Sequence, residues 1–332
     1  MAVQTTTGLA ADLKAFVEEG FASAIFSNDQ FLRWFISKEK EFGDSVKENI
    51  IVTTNSSPAV TAEGGSYPSA AAAVIKQGSF PYKTVYATYG LTDEAKMALG
   101  AGYKGSYAGL NVERQDALAA CRDLFERTFM AAKATYSLQG EVDDDTTAWG
   151  GLDRSTYTAL QSTVIAGGGA QLSKAMLENL YTTVRSEASR QPDLIMSGGF
   201  QARVYDETLS AAPVPIAGGG VTDISYSRRT FKGIPWVDVP DFLASELVML
   251  TGLFDGSGVY FAVQNRWDVT EHDEAADVSF IDIPAGPRCT LVASHARLGR
   301  TAPKSTYVWG LRGALIVRHP EWQGKIEALT TS

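Results

Sequence analysis

The stretch ENIIVTTNSSPAVTAEGGSYPSAAAAVIKQGSFPYK, residues 48–83, carries only Glu63 and Lys76 between its flanking charges, Glu48 and Lys83. Its ends are strand-like, at 50–54 and 80–88, and its middle is rich in Thr, Ser, Ala, Gly and Tyr. The returning strand alternates Phe80, Tyr82, Thr84 and Tyr86 with Pro81, Lys83, Val85 and Ala87, which places sizeable side chains on both faces. Gly64, Gly65, Ser66, Tyr67 and Pro68 are residues that let a backbone reverse. The spacing therefore predicts a long two-stranded ribbon with its tip near Tyr67. Such a ribbon is at best marginally stable alone in water. A projecting arm has little of its own domain to lie on, so its natural cover is a neighbouring copy of the same chain.

On the N-terminal side, Leu9, Leu13, Phe16, Val17 and Phe21 recur at helical intervals. A second apolar cluster, Phe31, Leu32, Trp34, Phe35 and Ile36, also reads as an amphipathic piece. The polar ground around them leaves too little sequence for a separate core, and residues 1–48 read as an arm packed on something larger. On the C-terminal side, residues 111–136 form the best-determined helix. Leu118, Cys121, Leu124, Phe125, Phe129, Ala132 and Tyr136 mark one stripe, and Arg122, Asp123, Glu126 and Arg127 mark the opposite face. The helix should stop before Gly140, and residues 141–147, with Asp143, Asp144 and Asp145, read as a solvated loop.

Leu172, Ala175, Met176, Leu180 and Val184 describe another helix that must end before Pro192. Residues 193–197 then read as a buried strand. Further strands are expected at 231–239, 246–251, 259–263, 278–283, 290–295 and 307–317, separated by Gly, Pro or Asp. Helices in the middle and strands toward the end make this an α+β chain.

Composition narrows the function. With 332 residues and 45% hydrophobic content the chain can build one or two sizeable cores, and no apolar run nears membrane-spanning length. No cationic segment precedes an apolar block in residues 1–8, so export is not expected. Cys121 and Cys289 form no disulfide framework and read as reduced core thiols. The net charge of −9 disfavours general adhesion to nucleic acid phosphates. Charge is uneven, however. Asp268, Glu271, Asp273, Glu274, Asp277 and Asp282 precede a stretch, 283–320, that holds Arg288, Arg297, Arg300, Lys304, Arg312 and Arg318 and no acid. Both are ordinarily solvated faces; alternatively, an acidic loop of one subunit meets a basic region of the next.

Signatures of catalysis are missing. His272, His295 and His319 lie far apart and form no zinc motif. No G-x-S-x-G elbow occurs. The phosphate-loop imitation at 299–305 places Pro303 where a glycine amide should donate. Asp143, Asp144 and Asp145 match no calcium loop. No cofactor, metal site or catalytic residue is therefore expected.

Arm, ribbon, long helix, acidic loop and α+β body, in that order, resemble the major capsid proteins of tailed bacteriophages, the Hong Kong 97 fold. Local sequence carries the likeness. Trp149-Gly150-Gly151-Leu152-Asp153-Arg154 looks like the glycine-containing loop of that family. Asp193-Leu194-Ile195-Met196-Ser197 resembles its apical-domain strand, and Phe231-Lys232-Gly233-Ile234-Pro235-Trp236-Val237 its F-x-G-x-P strand. Residues 309–317, WGLRGALIV, resemble the closing peripheral-domain strand.

The resemblance implies an N-terminal arm at 1–48, an extended loop at 49–90, and a peripheral domain at 91–154 with its spine helix at 111–136. It further implies an apical domain at 155–284 and returning peripheral strands at 285–332. It implies a self-assembling icosahedral shell of hexamers and pentamers around double-stranded DNA. That DNA would be held by weak, non-specific contact. The shell would be made in the host cytoplasm and carried in the virion. A portal, a decoration protein and a separate scaffolding protein, or none, are the implied partners. Inter-subunit contact is expected from Tyr67, Phe80, Tyr82 and Tyr86 on the ribbon and from Trp34 and Phe35 on the arm. The rivals are an encapsulin, a compartment of the same fold holding an enzyme, and a monomeric α+β enzyme built on Asp153, Asp238, Asp241 and Glu246.

Overall fold

Strand β13 (Lys304–Val317) organises the molecule: its alternating side chains serve two faces while its backbone pairs on both edges. A computed structural model of the chain describes residues 31–40, 43–58, 69, 71–92, 108–130, 136–145, 148–209, 229–239, 242–264, 276–298 and 304–331. The helix expected at 9–24, the ribbon tip with Tyr67, and the acidic run at 268–274 lie outside these residues, as do Asp241 and most of the 299–305 loop.

Numbered among the described residues, the other strands of the first half are β1 (Ser37–Lys40), β2 (Ser45–Thr53), β3 (Val74–Pro81), β4 (Lys83–Thr92) and β5 (Thr163–Ala166). They are followed by β6 (Leu194–Ser197), β7 (Thr230–Phe231), β8 (Ile234–Asp238) and β9 (Leu247–Leu250). Then come β10 (Val259–Gln264), β11 (Ala276–Pro284), β12 (Thr290–Arg297) and β14 (Gly324–Glu327). The helices are α1 (Ala108–Met130), α2 (Leu138–Glu141), α3 (Lys174–Ala188) and α4 (Gly199–Val204).

One six-stranded sheet runs β1-β10-β13-β12-β11, with β4 also paired to β13. The other runs β5-β14-β9-β6-β8-β7, and β2 and β3 form a separate two-stranded ribbon. Helix α1 lies on the first sheet: Phe125 and Phe129 meet the Phe261 ring edge-on at 5.7 and 5.0 Å. Trp309 Nε1 donates to the Arg114 carbonyl at 3.0 Å. Helix α3 starts at Ser173, whose hydroxyl accepts from the Met176 amide, and buries Leu177, Leu180 and Val184 against the second sheet. A third cluster, with Phe80, Trp149 and Tyr260 at its centre, fills the space beneath the ribbon.

Several expectations are corrected. Phe31–Ile36 is not an arm helix: Leu32–Trp34 is a single 3-10 turn, and β1 then adds in parallel to β10. Phe31 and Phe35, with ring centroids 4.8 Å apart, sit in the main core, so residues 31–40 belong to the body. The ribbon strands run 45–53 and 74–81. The residues beyond Tyr82 leave the ribbon for the first sheet, because β4 pairs with β13 from Lys83 to Thr92.

On α1 the inward stripe is Leu118, Cys121, Phe125 and Phe129, which turns Leu124 outward and brings Glu126 to the buried edge. Arg122 Nε meets the Glu126 carboxylate at 3.2 Å, and the Arg122 guanidinium also reaches the carbonyls of Pro284 and Ala285. The 141–147 loop is solvated only in part. Ser137 caps α2 by accepting from the Gly140 amide at 3.2 Å, while Glu141 and Asp143 are buried.

The contiguous ranges 155–284 and 285–332 do not coincide with the sheets. Strands β10 and β11 of the former pair in the first sheet, and β14 of the latter pairs with β5 and β9 in the second. Strand pairing joins segments far apart in sequence, which a linear boundary cannot represent.

Candidate assembly surface

In an antiparallel pair, alternate residues face opposite sides, and residues directly across share a side. On β2, Val46, Glu48 and Ile50 face inward and are buried, while Lys47, Asn49 and Ile51 face outward and are exposed. The register pairs Val46 with Phe80, Glu48 with Gly78, Asn49 with Gln77, and Ile51 with Ile75. Gln77 Nε2 donates to Asn49 Oδ1 at 3.0 Å on the outer side.

The ribbon divides along its length. Its proximal half is fixed to the body: the Phe80 and Trp149 rings meet edge-on at 5.1 Å, and the Ser79 amide donates to the Gly150 carbonyl at 2.7 Å. Trp149 Nε1 donates in turn to the Val317 carbonyl at 2.7 Å. Beneath β2, the Tyr260 hydroxyl donates to the buried Glu48 carboxylate, and Arg318 Nε lies 3.4 Å from its other oxygen. Burial, reinforced by Glu48, raises the Tyr260 phenol well above its ordinary range, so it stays a donor. Support is slighter under the distal half, where Val52 packs at the edge of the third cluster and Lys76 Nζ lies 5.6 Å from the centre of the Tyr157 ring. On the side away from the body, Ile51 and its cross-strand partner Ile75 are 54% and 62% exposed and make an apolar pair, while Val74, on the opposite face of β3 from Ile75, is 42% exposed.

The residues expected at subunit contacts fall into two groups. Phe35 and Phe80 have no exposed surface in the single chain, so they offer none to a second copy; they are core residues. Trp34 is half-buried against the first core. Tyr82 is half-buried under the Arg312 guanidinium, 5.3 Å from its ring centre, and Tyr86 is exposed on β4. Ile51 and Ile75 went unselected in the sequence. The signal was the Ile50-Ile51 pair itself, since in a strand one of two consecutive apolar residues must face away from the support.

A buried ionic cluster stands beside the ribbon's exit. Arg154 donates to the carbonyls of Gly140 and Glu141 at 3.0 and 2.6 Å, with its Nη2 3.5 Å from the Glu141 carboxylate. Lys325 of β14 meets Asp143 at 2.6 Å. Burial outweighs the Arg154 charge and raises the Glu141 carboxyl to about 7, while burial lowers the Lys83 ammonium. The cluster ties α2, the Trp149–Arg154 turn and the second sheet together.

The carboxylates named for a catalytic alternative serve different neighbours. Asp153 accepts from the amide and hydroxyl of Ser155, Asp238 lies 3.9 Å from Arg229, and Glu246 is buried at the start of β9. Among the described residues no group of three or more His, Cys, Asp and Glu side chains is placed to hold a metal ion. Nor is any described helix long and apolar enough to cross a membrane.

No protein-family model and no curated protein matches the chain in sequence. Solved structures do match it in fold. The capsid asymmetric unit of cyanophage A-1(L) superposes with a TM-score of 0.71 at 12% identity, covering 95% of this chain and 96% of that one. The capsid of a native GTA particle gives 0.57 at 12% identity, covering 99% and 100%. The holo-SrpI encapsulin complex of Synechococcus elongatus PCC 7942 gives 0.59 at 11% identity, covering 100% and 98%. The chain therefore has the Hong Kong 97-like fold shared by these shell proteins, over essentially its whole length.

Proposed function

We propose that this chain is the major capsid protein of a tailed phage, tiling an icosahedral shell of hexamers and pentamers around double-stranded DNA. The observation that carries the proposal is the outer face of the ribbon, where Ile51 and Ile75 stand in solvent at the far end of an element rigidly held at its base. Burying an aliphatic side chain stabilises by about 1.5–3 kcal/mol, and a second copy laid against that outer face would gain the contact many times over in a closed shell. Trp34, Tyr82 and Tyr86 are assigned to the same class of contact.

The net charge of −9 suits a container whose contents are packed and released, because a strongly basic lining would bind DNA through counterion release. Contact with DNA is accordingly weak and non-specific, and the chain acts without catalysis. A portal, a scaffolding protein encoded separately and a decoration protein complete the proposed particle, which is assembled in the host cytoplasm. The likeness to an encapsulin over both full chains supports a second reading, a protein-filled compartment. The contents of purified particles, nucleic acid or protein, separate the two.

The test is negative-stain electron microscopy and gel filtration of the chain, expressed with and without the products of its neighbouring genes. Closed particles are expected from the wild type and none from the double variant Ile51→Ser, Ile75→Ser. A wild-type chain that stays a 35.6 kDa monomer under every condition overturns the proposal.

A further inference from the structure

Two features of the ribbon base have no part in covering a neighbour. Gly78 lies flat on the indole of Trp149: a Cβ there would stand 2.5 Å from Cζ3 of the ring, closer than any real contact. Gly150, in the turn that carries this indole, has φ +51, and a Cβ on it would stand 2.7 Å from the Gly78 Cα. The two backbones can approach this closely only because both residues lack a side chain, and the approach is sealed by the Ser79 amide donating to the Gly150 carbonyl at 2.7 Å. On the opposite strand, Glu48 is held between the Tyr260 hydroxyl and Arg318. β2 is thus held from beneath by β10 and the end of β13, and β3 by the 149–152 turn.

We infer that these contacts form a socket that presets the angle at which the ribbon leaves the body, making Gly78, Trp149, Gly150 and Glu48 positioning residues for shell geometry although none of them faces a second copy. The inference rests on the shell reading for its consequence, but the socket itself is a property of one chain. A small rotation at the base is magnified along the strands, since each residue adds about 3.3 Å of length. The distal isoleucines would then be displaced from whatever they cover, and copies would meet at a different angle.

The experiment reads ribbon orientation directly. Spin labels are placed at Ile75→Cys on the ribbon and Gln115→Cys on the exposed side of α1, in the full chain, with excess unlabelled chain so that only distances within one molecule are measured. Cys121 and Cys289 are buried and stay unlabelled. The otherwise wild-type chain should give one narrow distance. Gly78→Ala and Gly150→Ala should lose that peak, by shift or broadening, while retaining a cooperative thermal transition. Trp149→Phe, which keeps a ring against Gly78, should largely preserve it.

Should either glycine variant fail to fold, Glu48→Gln provides the second arm: it keeps an acceptor for Tyr260, removes the charge facing Arg318, and should broaden the distribution. An unchanged distance in the folded socket variants overturns the inference. So do particles of normal diameter from a variant whose ribbon has moved. If the wild type forms no particles while the distances behave as expected, the shell reading falls and the socket stands.

Discussion

Ile50 and Ile51 are consecutive, identical in chemistry and in the same strand, yet the first is 7% exposed and the second 54%. The inner face of the ribbon rests on Trp149, Tyr260 and Ile316, and its outer face carries Ile51 and Ile75 in solvent. The difference lies in which face each side chain takes, since hydrophobic stabilisation depends on area removed from water and not on the residue's identity. One short element thus contributes to two kinds of stability: that of the fold through its inner face, and that of the proposed assembly through its outer one.

This contrast can be broken most forcefully at the base. Phe80→Ala should destabilise the folded chain by about 3–5 kcal/mol, because it empties a site with no exposed surface between Trp149 and Tyr136. Chemical denaturation measures it, and a loss below about 1 kcal/mol would mean that the base is not part of the core.

A smaller, pH-dependent effect should appear where the return strand enters the body. Glu141 holds its proton up to about pH 7 in the folded chain, against an ordinary value of 4.5. The folded state therefore binds more protons than the unfolded state in that window, and stability falls as the pH rises from about 4.5 through about 7. Glu141→Gln should flatten that part of the stability profile, gaining on the wild type as the pH rises; parallel profiles for the two proteins would exclude the buried carboxyl as the cause.

The smallest effect belongs to the distal half. Ile51→Ser with Ile75→Ser should change the melting behaviour of the unassembled chain little, each site within about 0.5 kcal/mol, since neither side chain loses much burial. The same variant is expected to abolish particles. A large loss of monomer stability would show that the distal face is already covered within one chain.

Much of the fold is legible in the sequence alone. The Leu180 and Val184 face of α3 is where periodicity put it, although Ala175 turns outward and Leu177 takes its place inside; the strands expected at 193–197, 259–263 and 290–295 form at 194–197, 259–264 and 290–297, because their apolar spacing matches the geometry of one element. Glu126, Glu141 and Asp143 were misread as solvated, since charge is a reliable mark of exposure only where no partner is supplied from elsewhere in the chain. Arg122, Arg154 and Lys325 supply those partners, the last from 182 residues away. Leu124 was misread the other way: the stripe was drawn too wide, and the sheet accepts only the part centred on Cys121 and Phe125. Among the expected contact residues, Phe35 and Phe80 were chosen for size, and large aromatic side chains are also what a core most readily buries.

The order of apolar and polar residues was sufficient to define helices, strands and an uncharged ribbon, because local periodicity decides which side chains share a face. It could not say which face would find a body beneath it, that Glu48 would lie under Tyr260, or that Gly78 would close on Trp149. Those outcomes depend on contacts between residues as much as 212 positions apart, which exist only once the sheets have formed and brought them together.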